Sequence, residues 1–436
     1  MRDVFQRYLR PLGGKAYEVR ECRISGISYR SALRCVVNYE LRLAKPGTGR
    51  EQRQLVTGVI YGGGKARSIW ERLQQSYPER QVPNASPIFE PFSYVPDLEM
   101  LVQVFPHDHR LPALSLLMTG PPPELEALLL GRFGPGEWRP EAWDVEAVRY
   151  RAARRATLRL TARVRDATTD QTEQRCFYAK VYDDEESGEQ AYRVAQELRE
   201  QAGSAGGVGF TVGEPIAYLS DLRTLLQGEA PGTSLQDMLL QGEDAIPVVR
   251  RIARALARLH LGQVIVPRRY RLQNDVAALE RRARFLRRGC PHLRPKIERI
   301  IEAVVGGLEE VPPAPTHGDL KPEHVLLDGD NLALLDLDAF VMADPVLDVA
   351  RFLAFLANAP LRSPLSQDRA WAAAQAFDEE YFAHVPKAWR ERLPLHYARV
   401  VFRMATGFFR RQEPGWPEKV ETLIEEAEDS LVGKVW

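Results

Sequence analysis

Asp319 stands in the run Thr316-His317-Gly318-Asp319-Leu320-Lys321-Pro322-Glu323-His324, and Asp336 follows 17 residues later in Leu334-Leu335-Asp336-Leu337-Asp338. A third acidic stretch, Asp344-Pro345-Val346-Leu347-Asp348-Val349-Ala350, completes the set. An Asp on a loop, an apolar strand and a second Asp at that strand's end form a layout suited to holding a hydroxyl beside metal-bound phosphates. Phosphoryl transfer asks little covalent help from protein. It needs an oriented nucleophile, a metal bridging phosphate oxygens, and cations on the developing charge. In that chemistry Asp319 accepts the hydroxyl proton, Asp336 holds the metal, and Lys321 is a cation two positions from Asp319.

The spacing resembles the kinase catalytic loop His-Arg-Asp-x-x-x-x-Asn followed by Asp-Phe-Gly. With Gly318 in place of the Arg and an Asp-Pro-x-x-Asp-x-Ala tail from Asp344, it resembles the aminoglycoside phosphotransferase and choline kinase-like family. The resemblance implies a protein-kinase-like two-lobe α+β fold, ATP or GTP as donor, and Mg2+. It also implies Asn or Gln where this chain has His324. Magnesium prefers hard oxygen ligands. Asp338 is therefore expected to supply the missing oxygen while His324 braces the loop through an N–H donor, or a softer ion such as Mn2+ is used with His324 as ligand. Asp348 is expected to accept backbone N–H groups of the catalytic loop, and His317 to pack and fix that loop.

The elements in front of this loop repeat themselves. Glu90-Pro91-x-x-Tyr94-x-x-Asp97-Leu98-x-x-Leu101-x-Gln103 answers to Glu214-Pro215-x-x-Tyr218-x-x-Asp221-Leu222-x-x-Leu225-x-Gln227. Between 90–116 and 214–240, nine of 27 positions agree without a gap, against roughly one or two by chance, which marks a repeat. Tyr29–Arg34 likewise answers to Tyr150–Arg155, and Glu51-Gln52-Arg53 to Glu173-Gln174-Arg175. Each copy reads as strands, a polar helix and two further strands, the pattern of a kinase small lobe. The expected organisation is 1–121 as a degenerate, non-catalytic small-lobe copy acting as a cap, 122–242 as the working small lobe, and 243–436 as a mainly helical large lobe. Helices are expected over 248–260, 275–287, 296–309, 346–358, 366–384, 390–411 and 416–432, with alternating strands at Tyr150–Arg165 and Arg175–Tyr182.

Lys180, alone in the strand Phe177-Tyr178-Ala179-Lys180-Val181-Tyr182, fits the small-lobe lysine that reaches the phosphates. The first copy has Gly58 or Val59 there, depending on register. The chain has nine Lys and 50 Arg, so Lys at both 180 and 321 is a selective use of a compact cation. Of Glu189 and Glu197 on the following helix, the family spacing favours Glu197 as its partner. The phosphate-covering turn falls in Ala152–Arg155 and lacks glycine, so Arg155, with Arg154, would supply charge-assisted bonds in place of backbone N–H groups. Gln227, Glu229 and Ala230 lie in the segment whose backbone pairs with adenine in this family. His107-Asp108-His109 reads as a plain turn, and His260 as a packed histidine at a helix end.

The remaining composition narrows the partners. Fifty-nine basic residues balance 59 acidic ones, so nothing marks a nucleic-acid or membrane partner. Cys22, Cys35, Cys176 and Cys290 have no metal spacing and read as buried, reduced thiols. No signal segment or spanning run is evident, which predicts a cytoplasmic protein; the oligomeric state is not encoded legibly. The expected acceptor is a hydroxyl on a small molecule: a sugar, amino sugar, aminoglycoside or amino alcohol. Asp378-Glu379-Glu380 could draw a polycation, and Trp371, Tyr381 and Trp389 could stack on a sugar, though a solvated face and ordinary core packing account for both. Lys321-Pro322-Glu323 also resembles protein Ser/Thr kinases, but a separation of 12 positions from Asp336 to Asp348 leaves no room for a long activation segment. The competing class is a nucleotide-binding pseudokinase, suggested by His324, the glycine-poor turn and the degenerate first copy.

Overall fold

Strand β7 (Arg155–Asp166) shows how this sequence builds its sheets. Ala156, Leu158, Leu160, Ala162 and Val164 occupy every second position and are buried, while Arg159, Arg163 and Arg165 between them face water. A pleat with period two puts them on opposite faces. The computed structural model describes every residue except 13–15, 32–33, 48–49, 77–87, 203–208, 265 and 435–436. The Ala32 and Leu33 part of the Tyr29–Arg34 match lies outside the described residues. The chain divides into two compact units, 1–189 with 216–228 and 410–412, and 190–215 with 229–409 and 413–436.

The duplication recurs strand for strand in the two five-stranded sheets, and the helix Glu185–Ala202 passes from the first unit into the second at residue 190. After α1 (Arg2–Tyr8) come β1 (Glu18–Ser31), β2 (Arg34–Ala44), β3 (Glu51–Tyr61), α2 (Lys65–Ser76), β4 (Phe92–Val95) and β5 (Met100–Val104). Helices α3 (Pro112–Leu117) and α4 (Pro123–Leu130) lead into β6 (Trp138–Arg151), β7, β8 (Thr172–Tyr182), α5 (Glu185–Ala202), β10 (Pro215–Leu219) and β11 (Thr224–Gly228). The sheets run β1-β2-β3-β5-β4 and β6-β7-β8-β11-β10, the same order in both copies. Even a strained corner recurs: Glu99 (φ 46°) and Arg223 (φ 45°), both left-handed, stand just before β5 and β11. The register also decides the counterpart of Lys180. Lys180 pairs with Thr157 and Leu225, and Val59 pairs with Val36 and Leu101 at the matching places. The first copy thus replaces the amine with a fully buried valine in an apolar cluster with Val36, Tyr61 and Ile69.

In the second unit, β9 (Thr211–Val212) pairs in parallel with β15 (Asn331–Leu334), and β12 (Thr233–Ser234) pairs with β14 (Val325–Asp328). The expected apolar run Thr211–Leu219 is therefore split at Gly213-Glu214: its first part joins a different sheet from β10, which opens on Pro215. Proline has no N–H to give to a ladder and so suits a strand's first position. Strands β13 (Ala314–Thr316) and β16 (Val341–Ala343) form a two-stranded sheet. The helices are α6 (Leu235–Gln241), α7 (Ile246–Leu261), α8 (Leu272–Gly289), α9 (Arg294–Gly307), α10 (Val346–Ala357), α11 (Gln367–Ala383), α12 (Leu393–Arg411) and α13 (Trp416–Leu431). The single helix expected over 390–411 is a 3-10 stretch, Lys387–Arg392, followed by α12. Pro394 in the first turn of α12 explains the break, since a ring without N–H is tolerated there and not deeper in a helix. Helix α10 is buried along nearly its whole length at the centre of a continuous apolar core. No helix among the described residues is long and apolar enough to cross a membrane. Of the four cysteines Cys290 is buried and the other three are half-buried, and all are free thiols.

Candidate active site

A short hairpin brings the two motifs together. Val325 of β14 pairs with Leu334 of β15. One step further along the ladder, the Leu335 N–H donates to the His324 carbonyl at 2.9 Å. Antiparallel pairing then forces Asp336 to emerge beside His324. A ligand atom from each of Asp319, His324 and Asp336 lies within 4.8 Å of the others. Asp336 has left-handed backbone (φ 60°), a strained conformation for a non-glycine residue and one common at functional sites. Gly318 (φ 76°) closes the loop from the other side. A Cβ there would lie 2.2 Å from the Ala339 carbonyl oxygen, so the replacement of the kinase Arg by Gly is a steric requirement of this close approach.

The loop hangs from Asp348. This fully buried carboxylate accepts the backbone N–H of His317 at 2.6 Å and of Gly318 at 2.8 Å, the anchoring expected from sequence. His260 Nε2 stands 3.4 Å from the same carboxylate. A carboxylate only accepts, so His260 donates through Nε2 and takes the Tyr381 hydroxyl on Nδ1 at 2.7 Å. His260 and His317 are packed residues, as expected. The Nε2–H of His317 donates to the Leu335 carbonyl at 2.8 Å, and its Nδ1 accepts the Asp319 N–H at 3.3 Å.

His324 is fixed by the same logic. Its Nδ1 lies 2.8 Å from the Asp319 carbonyl, which can only accept, so the proton is on Nδ1 and the lone pair on Nε2. That Nε2 is buried without a hydrogen-bond partner, 3.8 Å from Asp336 and 3.6 Å from Glu323. Burial first, then His317 and Lys321, push the His324 imidazolium down to about 3, so the ring is neutral at neutral pH. The bracing N–H and the donor lone pair are two ends of one ring.

Asp319 is clamped at both oxygens. Lys321 Nζ donates to Oδ2 at 2.8 Å, and the buried Arg351 guanidinium donates to Oδ1. Burial alone would raise this carboxyl, but the charges of Arg351 and Lys321 outweigh it and hold the group well below the usual carboxylate range. Arg351 was not found by sequence reasoning. The available signal was a lone cation in the otherwise apolar helix Val346–Ala357, three residues after Asp348 and so on the same face.

The nucleotide-side candidates lie on their own elements. Lys180 is buried on β8, between β7 and β11. Gln227 is on β11 opposite Tyr178, Glu229 is exposed, and Ala230 is half-buried. Glu197 is half-buried on α5 and accepts from the Gln201 side chain at 3.0 Å. Arg155 opens β7 opposite Arg151. The glycine-free turn between β6 and β7 is pinned by Asp108, which accepts the Ala153 N–H at 2.6 Å and the Tyr150 hydroxyl at 2.9 Å. Ala153 has left-handed backbone (φ 55°). A carboxylate from the first copy thus holds the conformation that a glycine would otherwise supply. The acidic run near 378–380 is already neutralised: Asp378 pairs with Arg390, Glu379 with Arg250, and Glu380 with Arg254. Tyr381 is fully buried and Trp389 packs on the core.

The profile of the phosphotransferase enzyme family matches residues 161–392, more than half of the chain. This chain belongs to that family. It is a phosphotransferase with an α+β kinase-like fold, and the resemblance drawn from its sequence is upheld. Among solved structures it is similar to a choline/ethanolamine kinase family protein from Mesorhizobium loti (13% identity, 72% of this chain, 92% of that chain, TM-score 0.44). It is also similar to a choline kinase from Cryptosporidium parvum (10% identity, 67% and 89%, TM-score 0.46). A third is an APH(2″) protein in complex with GDP and kanamycin (12% identity, 71% and 99%, TM-score 0.44). No curated protein matches the sequence.

Proposed function

We propose that this phosphotransferase moves the γ-phosphoryl group of ATP or GTP to a hydroxyl of a small molecule at the centre formed by Asp319, His324 and Asp336. The convergence of those three groups within 4.8 Å carries the reading. Asp319 orients the acceptor hydroxyl. Its oxygens are held by Lys321 and Arg351 and its carboxylate is a weak base, which suits a loose transition state in which proton removal contributes little. Lys321, whose Nζ lies 2.8 Å from Asp319, would set its positive charge beside the transferred group.

Asp336 and the Nε2 of His324 would hold the divalent ion, with Asp338 as the further oxygen donor. A buried imidazole lone pair beside carboxylates fits a mixed N/O donor set, which suits Mn2+ and is compatible with Mg2+. Such an ion would neutralise charge on the phosphates. Lys180 would take the phosphates as a point charge, braced by Glu197, with Arg155 at the covering turn. The backbone of Gln227, Glu229 and Ala230 would take the base. In this organisation 122–242 is the working small lobe, 243–436 the catalytic large lobe, and 1–121 a cap that lacks the amine and braces the turn through Asp108.

The test is nucleotide consumption over a panel of hexoses, disaccharides, amino sugars, aminoglycosides and amino alcohols, with Asp319→Asn as control. Turnover that disappears in Asp319→Asn is the expected result. Turnover that persists there rejects Asp319. Nucleotide binding with no turnover on any acceptor marks a binding protein instead.

A further inference from the structure

Beside Asp319 the second unit gathers arginines that outnumber its acids. Arg351 on α10 donates to Asp319 and is buried, and its Nε has no hydrogen-bond partner. Arg399 on α12 is almost fully buried, 2.6 Å from Asp275 of α8 and 5.4 Å from the Tyr270 ring. Arg403, one turn further along α12, has Arg351, Arg282 and Arg399 as its strongest charged neighbours, ahead of Asp275. Arg282 on α8 has Asp275, Arg351 and Arg399 around it. Arg282 and Arg403 are half-buried, so solvent reaches this cluster. Of these four guanidinium groups, Arg351 is paired with Asp319 and Arg399 with Asp275, and Arg282 and Arg403 have Asp275 as the acid among their strongest charged neighbours.

Such an arrangement is costly without a further anion. Like charges repel more strongly at half-buried sites than in bulk water, and burial together with its three arginine neighbours pushes the Arg403 guanidinium well below its ordinary value. An oxyanion would offset that cost, because planar guanidinium forks match carboxylate and phosphate oxygens in bidentate geometry. The same field opposes a polycation. The acidic run at 378–380 offers no compensation, being paired with Arg250, Arg254 and Arg390.

We propose that the acceptor is an anionic small molecule, a hydroxyl compound bearing a carboxylate or phosphate monoester that seats on Arg282, Arg399 and Arg403 while its hydroxyl meets Asp319. This deepens the reading of Asp319 as the acceptor-orienting group and rests on it. The balanced step is unchanged: the acceptor oxygen forms the new P–O bond, the bond from the γ-phosphorus to the bridging oxygen breaks, the nucleoside diphosphate leaves with those electrons, and the hydroxyl proton passes to solvent by way of Asp319.

The test separates binding from turnover. Calorimetric titration of the full-length Asp319→Asn protein would use inorganic phosphate, gluconate, glucose and kanamycin as probes. At least one of the two oxyanions should bind, glucose and kanamycin should not, and Arg403→Gln should weaken the oxyanion by about tenfold or more, the worth of a charged hydrogen bond. Arg403→Lys, which keeps the charge but loses the fork, should give an intermediate loss with an unchanged melting temperature, covering the case in which the glutamine variant fails to fold. In the active enzyme, matched acceptors (glucose, glucose 6-phosphate, gluconate) distinguish carboxylate from phosphate. The KM for the preferred anion should rise in Arg282→Gln while nucleotide affinity stays constant. Binding of neither oxyanion, oxyanion affinity unaffected by the arginine variants, or turnover confined to neutral or cationic acceptors overturns the proposal. Arginine-dependent oxyanion binding with no turnover on any acceptor keeps the site and removes the transferase role of Asp319.

Discussion

Removing the Asp348 carboxylate should unhook the catalytic loop. Asp348 is fully buried and takes two backbone N–H groups, from His317 at 2.6 Å and Gly318 at 2.8 Å, and faces His260 Nε2 at 3.4 Å. In Asp348→Ala both N–H groups lose a charged acceptor at a fully buried position. At about 1–3 kcal/mol for each of the two buried donors left unsatisfied, the loss is about 2–6 kcal/mol. For a unit of this size that lowers the melting temperature by about 4–24 °C, at 2–4 °C per kcal/mol. Asp348→Asn keeps one carbonyl acceptor and should fall between. Urea denaturation gives the stability change, and kcat/KM at a temperature where both variants remain folded gives the effect on the loop. Because Asp319, the proposed hydroxyl-orienting group, stands two residues after His317, the loop variant should lose kcat far more than nucleotide affinity. A stability change under about 1 kcal/mol with unaltered kcat would refute the anchoring role.

Three further perturbations follow from the same geometry. Gly318→Ala places a methyl 2.2 Å from the Ala339 carbonyl at φ 76° and should abolish turnover and destabilise the second unit; a folded, active variant measured by calorimetry and nucleotide consumption would contradict the steric account. Lys180→Met should lower kcat/KM by about a hundredfold through lost charge stabilisation, with the fold intact by circular dichroism, while an active variant would remove Lys180 from the site. Burial, partly opposed by Asp108, depresses His109 to about 4, below the unfolded value of about 6.5. Between those values the unfolded chain binds a proton that the folded one does not, so stability should fall as pH drops from 6.5 towards 4, by up to about 3 kcal/mol. Chevron or equilibrium unfolding should show that slope flattened in His109→Gln, and an equal slope in both proteins would disprove it.

The meeting of Asp319 with Asp336 was legible because its geometry is local. The Asp319 loop, four-residue strands β14 and β15 and Asp336 are joined by a hairpin, so spacing alone fixes that the two carboxylates meet. The repeat was legible too, since alternating strands keep their register. Whether Gly58 or Val59 answers Lys180 needed the ladder itself, because matching Glu51 to Glu173 and matching Tyr61 to Tyr182 give offsets that differ by one residue. Arg351 escaped attention because an Arg in an apolar helix looks like an exception to a packing pattern until its partner, 32 residues away, is seen. The arginine cluster is harder still. It draws on α8, α10 and α12, and no sequence window contains it. The pinning of the β6–β7 turn by Asp108 is invisible for the same reason, spanning 45 residues to Ala153.

Direct detection of the ion's ligands is the decisive measurement. With Mn2+ and a non-hydrolysable nucleotide bound, pulsed electron paramagnetic resonance should show a directly coordinated imidazole nitrogen that vanishes in His324→Asn, and Mn2+ affinity should collapse in Asp336→Asn. A spectrum with oxygen ligands only, identical in His324→Asn, together with undiminished Mn2+ affinity in Asp336→Asn, would contradict the placement of the ion at these residues.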